Sequence, residues 1–226
     1  IDDNTEKRLM CDICFYPPIP QVKKMSWNKF NGKKYIGWGY IPLRKQFEKV
    51  INLKSSEKFI LLLGGGSDTR DFIYRVLKKL NKLNFKLKLC ITMGFRKSSN
   101  LKLSKLIRNS QHKISLVKNY YSISKLIQNS SLVICPYGVT CFEAAALQKF
   151  LILFTNSKDD HYSASIFEKS KMSHNLKLST FNENSFIQIM RQNMNKKFRS
   201  NIKNSKMIRG GTNNISKIIN EIFKKK

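Results

Sequence analysis

Three short stretches of the sequence carry residue types that can hold an anion or move a proton. Gly64-Gly65-Gly66-Ser67-Asp68 joins an apolar run to a helical pattern. Amides in such a loop can point at a phosphate while the following helix N-terminus adds partial positive charge. The loop lacks the Gly-Lys-Ser/Thr ending of a Walker loop and the G-x-G-x-x-G spacing of a dinucleotide fingerprint. A tight turn with Ser67 or Asp68 as N-cap accounts for it as well. The second stretch runs from the apolar Leu132–Cys135 through Pro136-Tyr137-Gly138 to Val139-Thr140-Cys141-Phe142-Glu143. Here Gly138 would let backbone approach a phosphate, and Glu143 would accept hydrogen bonds from ribose hydroxyls. Thr140 and Glu143 also have the spacing of a capping box, which explains the pair by helix capping alone. The third is Asp160-His161. Of the three histidines, His112 begins a strand and His174 falls in a loop, both reading as surface positions. His161 lies at the carboxyl end of a strand and is the candidate for a titrating role.

Other constellations point away from metal and redox chemistry. Cys11-Asp12-Ile13-Cys14 has C-x-x-C spacing, but no second Cys or His pair follows at zinc-site spacing. It reads as two small apolar residues on a short strand. No carboxylate or His cluster has ligand spacing, so no metal and no cofactor are implied.

The elements that must position these residues alternate regularly from Phe59 onward. Strands are expected at 59–63, 86–92, 112–117, 132–135 and 150–154. Helices are expected at 71–83, 100–109, 122–128, 141–148 and 162–169. Phe72, Ile73, Val76, Leu77, Leu80 and Leu83, for example, recur at helical spacing. Strands alternating with helices of this length mean βαβ units, hence an α/β fold with a mostly parallel open sheet covered on both faces. Residues 184–194 and 213–223 read as two basic amphipathic helices. Residues 1–45, broken by Pro17-Pro18-Ile19-Pro20 and by Gly32, Gly37 and Gly39, read as irregular. The division expected is therefore the tail of a preceding domain plus a linker over 1–45, and one α/β domain over 46–226.

At 226 residues such a domain can bury a full core without staples. No apolar run approaches the roughly 20 residues of a membrane span. Five cysteines, an odd number, suit a reducing cytoplasm better than a disulfide framework. The net charge of +29 comes from lysine spread along loops and helices alike, an even enrichment that reads as compositional bias. No nucleic-acid-binding module or basic stripe with interleaved aromatics accompanies it, so no specific nucleic-acid partner is expected. The charge does favour anions in general, nucleotide sugars and acidic membrane surfaces included.

Taken in order, several stretches resemble the C-terminal domain of GT-B proteins. They are Asp2-Asp3 with Cys11-Asp12, Gly37-Trp38-Gly39-Tyr40-Ile41-Pro42-Leu43-Arg44 with Phe47, and Gly64-Gly65-Gly66-Ser67-Asp68. Gly138-Val139-Thr140-Cys141-Phe142-Glu143 and Arg209-Gly210-Gly211 with Ile215 complete the series. The nearest likeness is to the UDP-2,4-diacetamido-2,4,6-trideoxy-β-L-altropyranose hydrolases of pseudaminic acid biosynthesis, a family similar to the glucosaminyltransferase that makes lipid II. The resemblance implies that Gly65, Gly66 and Ser67, with Asp68 beside them, contact a diphosphate. It also implies that Tyr120 presents a backbone edge to uracil, that Gly138 and Thr140 approach the phosphates and that Glu143 binds the ribose. Asp160-His161 stands where relatives place an amide pair near the sugar, a departure that bears on sugar specificity.

The implied activity is hydrolysis of a UDP-sugar, with glycosyl transfer from a UDP-sugar or simple nucleotide-sugar binding as alternatives. The family's Gly-x-Gly-His segment has no match in this chain. The resemblance places that histidine ahead of Ile1, so the chain as given is expected to bind sugar nucleotide with negligible turnover.

Overall fold

The computed structural model describes residues 5–50, 59–65, 68, 71–92, 101–117, 123–155, 157–195 and 202–224. The chain opens with β1 (Ile13–Tyr16), a single helical turn α1 (Gln21–Lys24) and β2 (Lys33–Ile36). It continues through β3 (Ile60–Leu63), α2 (Phe72–Leu80), β4 (Lys88–Thr92), α3 (Leu101–Arg108), β5 (Lys113–Val117) and α4 (Ile123–Asn129). The second half is β6 (Leu132–Pro136), α5 (Val139–Ala146), β7 (Leu151–Thr155), α6 (Lys158–Lys169), β8 (Ser173–Lys177), α7 (Glu183–Asn195), α8 (Ile202–Arg209) and α9 (Gly211–Phe223).

β3 to β8 form one parallel sheet in the order β5-β4-β3-β6-β7-β8. Its central strands are apolar on both faces, as a sheet covered on both sides requires. Alternate residues separate the two sides. Ile60, Leu62, Leu89, Ile91, Ile134, Ile152 and Phe154 pack with α2, α3 and α7. Leu61, Leu63, Val133, Cys135, Leu151 and Leu153 pack with α4, α5, α6 and α8. The helical stripe read on α2 is the buried one: Phe72, Ile73, Val76, Leu77 and Leu80 are each at most 2% exposed.

This order contains one reversal. From β3 the chain steps outward to β4 and β5, then returns to lay β6 on the other flank of β3 and proceeds to β7 and β8. α2, which follows β3, covers one face, and α5, which follows β6, covers the other. Two neighbouring strands whose helices diverge in this way leave a crevice at their carboxyl ends, where open α/β sheets bind ligands.

Several expectations need correction. The stretch read as irregular holds a pair of strands over its described residues 5–45: β1 and β2 pair in parallel, with Ile13 opposite Lys33 and Tyr16 opposite Ile36. Nor does the stretch up to Phe47 stand apart from the sheet. Cys14, Tyr16, Ile19, Val22, Ile41, Leu43 and Phe47 are buried in the same cluster as β6, β7, α5 and α6. Gln21 Nε2 donates to Ser163 Oγ and to the Asp159 carbonyl on α6. Of the Cys-x-x-Cys pair only Cys14 is buried on a strand, while Cys11 is exposed ahead of it. β8 and α8 lie where no element was expected, and α6 begins at Lys158 rather than at Tyr162.

The two histidines read as surface positions also differ. His112 is buried, its Nδ1 accepting from the Leu87 amide at 3.3 Å and its Nε2 lying 2.9 Å from the Leu80 carbonyl, so it ties α2 to the start of β4. His174 sits on β8, with its ring edge-on to Phe150 at 5.4 Å.

Candidate functional site

Three loops meet at the carboxyl edge of the sheet, following β3, β6 and β7. After β3, Gly65 has φ 81° and Asp68 and Asp71 have φ 44° and 49°. Non-glycine residues in that left-handed region cost about 1–3 kcal/mol each and gather at functional turns. The Asp68 carboxylate holds the loop to the helix: its Oδ1 accepts from the Phe72 amide at 2.7 Å, in the first turn of α2. Burial pushes the Asp68 carboxyl above its ordinary value, against the amide bonds that pull it down. Asp68 therefore serves the turn itself. Gly66 and Ser67 lie outside the described residues, as does Tyr120.

After β6, Gly138 caps the N-terminus of α5 with φ 158° and ψ −167°. A Cβ placed there would meet nothing within 4 Å, so the backbone conformation rather than crowding requires glycine. The result is an open patch of backbone at a helix N-terminus. No side chain caps this helix. The capping-box reading of Thr140 and Glu143 is thereby excluded, since Gly138, not Thr140, is the cap. Glu143 lies beyond the first turn, is only 6% exposed, and pairs instead with Arg44 at 2.8 Å. This is the one ion pair among the described residues, and it joins positions 99 apart in sequence. Thr140 is partly exposed on the first turn of α5.

Beneath these groups, Cys135 and Cys141 are fully buried. Burial pushes the Cys141 thiol up to about 12 and holds the Cys135 thiol well above its ordinary value, which removes both as nucleophiles at neutral pH.

After β7, Ser157 caps α6 by accepting from the Asp160 amide at 3.0 Å. His161, in the next position, places Nδ1 3.3 Å from the hydroxyl of Thr155, the last residue of β7. Thr155 is buried and His161 partly buried, at the same edge as Gly138. Gly65, Asp68, Gly138, Thr140, Asp160 and His161 thus lie at the carboxyl edge of the sheet, after β3, β6 and β7, with Glu143 further along α5. Among the described residues no group of three or more His, Cys, Asp or Glu side chains could hold a metal.

Arg44 is the member of the site to which no role attached in the sequence. It stands in the Leu43-Arg44 step of the connector, and no local spacing relates it to a helix a hundred residues on.

Comparison with known proteins agrees with this architecture. The profile of the glycosyltransferase family 28 C-terminal domain matches residues 59–222. An uncharacterized protein of Methanocaldococcus jannaschii is 29% identical over 121 residues, covering 50% of this chain and 25% of that protein. The crystal structure of Acinetobacter baumannii MurG superposes with a TM-score of 0.59 at 16% identity, over 86% of this chain and 58% of that one. A UDP-GlcNAc 2-epimerase from Methanocaldococcus jannaschii superposes with a TM-score of 0.51 at 17% identity, over 77% of this chain and 48% of its own. The chain therefore spans a quarter of its curated relative and about half of the solved enzymes. It belongs to the glycosyltransferase family 28 C-terminal domain family, and its fold is that of GT-B C-terminal domains.

Proposed function

We propose that the chain binds a UDP-sugar at the carboxyl edge of its sheet and forms the nucleotide-holding wall of a UDP-sugar hydrolase. The observation that carries the reading is the β6–α5 turn. Open backbone at Gly138 follows the carboxyl end of β6, the neighbour of β3, and a buried carboxylate, Glu143, stands five residues along in the same helix. A helix N-terminus with accessible amides suits a diphosphate, and a carboxylate acceptor suits the vicinal hydroxyls of ribose. Gly65, Gly66 and Ser67 would share the diphosphate, Thr140 would approach it from α5, and the Tyr120 backbone would read uracil. Asp160 and His161, at the start of α6, would meet the sugar.

Hydrolysis is favoured by the connector, whose Gly37-Trp38-Gly39-Tyr40-Ile41-Pro42-Leu43-Arg44 resembles that of the pseudaminic acid pathway hydrolases. Such an enzyme would direct water to the anomeric carbon while the amide-lined loops stabilise departing UDP. Glycosyl transfer is the second reading, favoured by membership of a glycosyltransferase family. A UDP-GlcNAc epimerase shares the fold, so architecture speaks for the substrate class more than for the reaction. All five cysteines are free thiols, which supports a cytoplasmic setting. No described helix is long and apolar enough to cross a membrane; the basic surface would favour peripheral contact with anionic membranes.

Release of UDP from UDP-sugars by an enzyme that holds both walls of the cleft, followed with and without an acceptor alcohol, tests the reaction, and calorimetry with UDP on this chain tests the binding. Equal release in both supports hydrolysis, and strictly acceptor-dependent release supports transfer. Absence of UDP binding by calorimetry would overturn both.

A further inference from the structure

Glu143 could not hold one orientation unaided, because a glutamate side chain on a helix turns freely about its last bond. In this fold it does not have to. The Arg44 Nη2 group donates to Glu143 Oε1 at 2.8 Å. Among the described residues Oε2 receives no hydrogen bond. Arg44 itself would be mobile, with 61% of its side chain exposed, were it not fixed from two directions. Its guanidinium carbon lies 5.1 Å from the centroid of the fully buried Phe47 ring.

Its backbone is the end of a connector fastened to the far end of the sequence. The Leu43 amide donates to Thr212 Oγ1 and the same hydroxyl donates to the Leu43 carbonyl, both at 3.1 Å and across 169 positions. Asn214 Nδ2 donates to the Gly39 carbonyl at 3.1 Å. Gly211 closes the contact: a Cβ there would stand 2.2 Å from the Ile41 carbonyl oxygen, so no other residue allows the connector this close.

We propose that Arg44 is a positioning residue for sugar-ring recognition: clamped by the first turn of α9, it holds Glu143 Oε1 so that Oε2 is presented to the ribose 2′- and 3′-hydroxyls. Preference for ribonucleotide over 2′-deoxyribonucleotide is thus set from the connector, through a residue that touches no part of the sugar. This rests on the reading of Glu143 as the ribose acceptor.

Equilibrium binding of UDP and 2′-deoxy-UDP to the wild-type chain and to Arg44→Ala, Arg44→Lys and Thr212→Val separates the two ideas. Melting curves check that each variant folds. Wild type should prefer UDP by roughly tenfold or more, as loss of a hydrogen bond to a charged acceptor implies. Arg44→Ala should reduce that preference to within about twofold by weakening UDP alone, leaving 2′-deoxy-UDP where it was, since only the hydroxyl contact depends on carboxylate orientation. Arg44→Lys, which restores a donor, should recover part of the preference, and Thr212→Val should fall between. Full discrimination retained in Arg44→Ala would overturn the proposal. So would equal weakening of both ligands, which would make Arg44 a general contact for the diphosphate. If wild type itself shows no preference, the ribose reading of Glu143 fails first, and this inference falls with it.

Discussion

The Arg44–Glu143 pair is asymmetric, and the asymmetry decides what each substitution does. Glu143 is the buried member and Arg44 the exposed one. Removing Arg44 strands a buried acceptor, whereas removing the charge of Glu143 leaves a guanidinium free to turn to solvent. Arg44→Ala should therefore lower folding stability by roughly 1–2 kcal/mol in denaturant titrations, while Glu143→Gln should change it little. For binding the order reverses. Glu143→Gln should weaken UDP on the order of tenfold or more, because a charged acceptor for the ribose becomes a neutral one; calorimetry on both variants reads the crossing. Gly138→Ala tests the neighbouring turn. The added methyl meets no atom, so any loss reflects backbone strain alone, expected at about 1–3 kcal/mol together with weaker UDP binding. The sequence marked Gly138 and Glu143 because both lie in one strand–turn–helix segment. It could not distinguish a capping box from a binding carboxylate, since the two share a spacing. The partner that separates them lies 99 positions away.

At the scale of elements, patterns were legible where one face or both faces are apolar, and illegible elsewhere. β3, Ile60–Leu63, and the stripe of α2 announce themselves. β8, Ser-His-Asn-Leu-Lys, is an edge strand with little apolar content, and its outer face is managed by polar groups: the Asn175 amide donates to Glu168 on α6 at 3.3 Å. His174 on this strand is half-buried, and burial holds its imidazole below the ordinary 6.5, with Glu168 pulling weakly the other way. The unfolded chain therefore binds the proton more readily than the folded one. Stability from the neutral ring is fully present above about pH 6.5 and declines as pH falls below it. His174→Gln should flatten that part of the stability–pH curve, measured by urea unfolding at a series of pH values between neutral and mildly acidic. β1, β2 and the connector were illegible for a different reason. β2 is mostly exposed, and the burial of β1 and the connector comes from contacts with α5, α6, α8 and α9, none of them local, so prolines and glycines dominate the local reading. Gly211→Ala checks the tightest of these contacts: the clash with Ile41 should cost about 1–3 kcal/mol by thermal or chemical melting.

For the whole molecule, the alternation of strands and helices was sufficient to predict a parallel sheet, but the strand order was not readable. The return of β6 to the flank of β3 creates the crevice, and no residue pattern states it, because both strands are apolar on both faces. The net charge of +29 acts on top of this geometry. It should strengthen any phosphate ligand at low salt, so UDP affinity should fall severalfold between about 0.01 and 1 M ionic strength, as the screening length drops from about 30 to about 3 Å. Uridine, without phosphates, should bind with no such dependence. Charge alone would attract UDP to lysines everywhere, however, and only the crevice predicts one place. Backbone amide shifts in heteronuclear NMR, followed as UDP is added, test the central claim most directly. The largest changes should fall on Gly65, on Gly138 to Cys141 and on the first turn of α6, at the carboxyl edge of β3, β6 and β7. Small changes scattered over surface lysines, or a cluster at the opposite edge of the sheet, would contradict it.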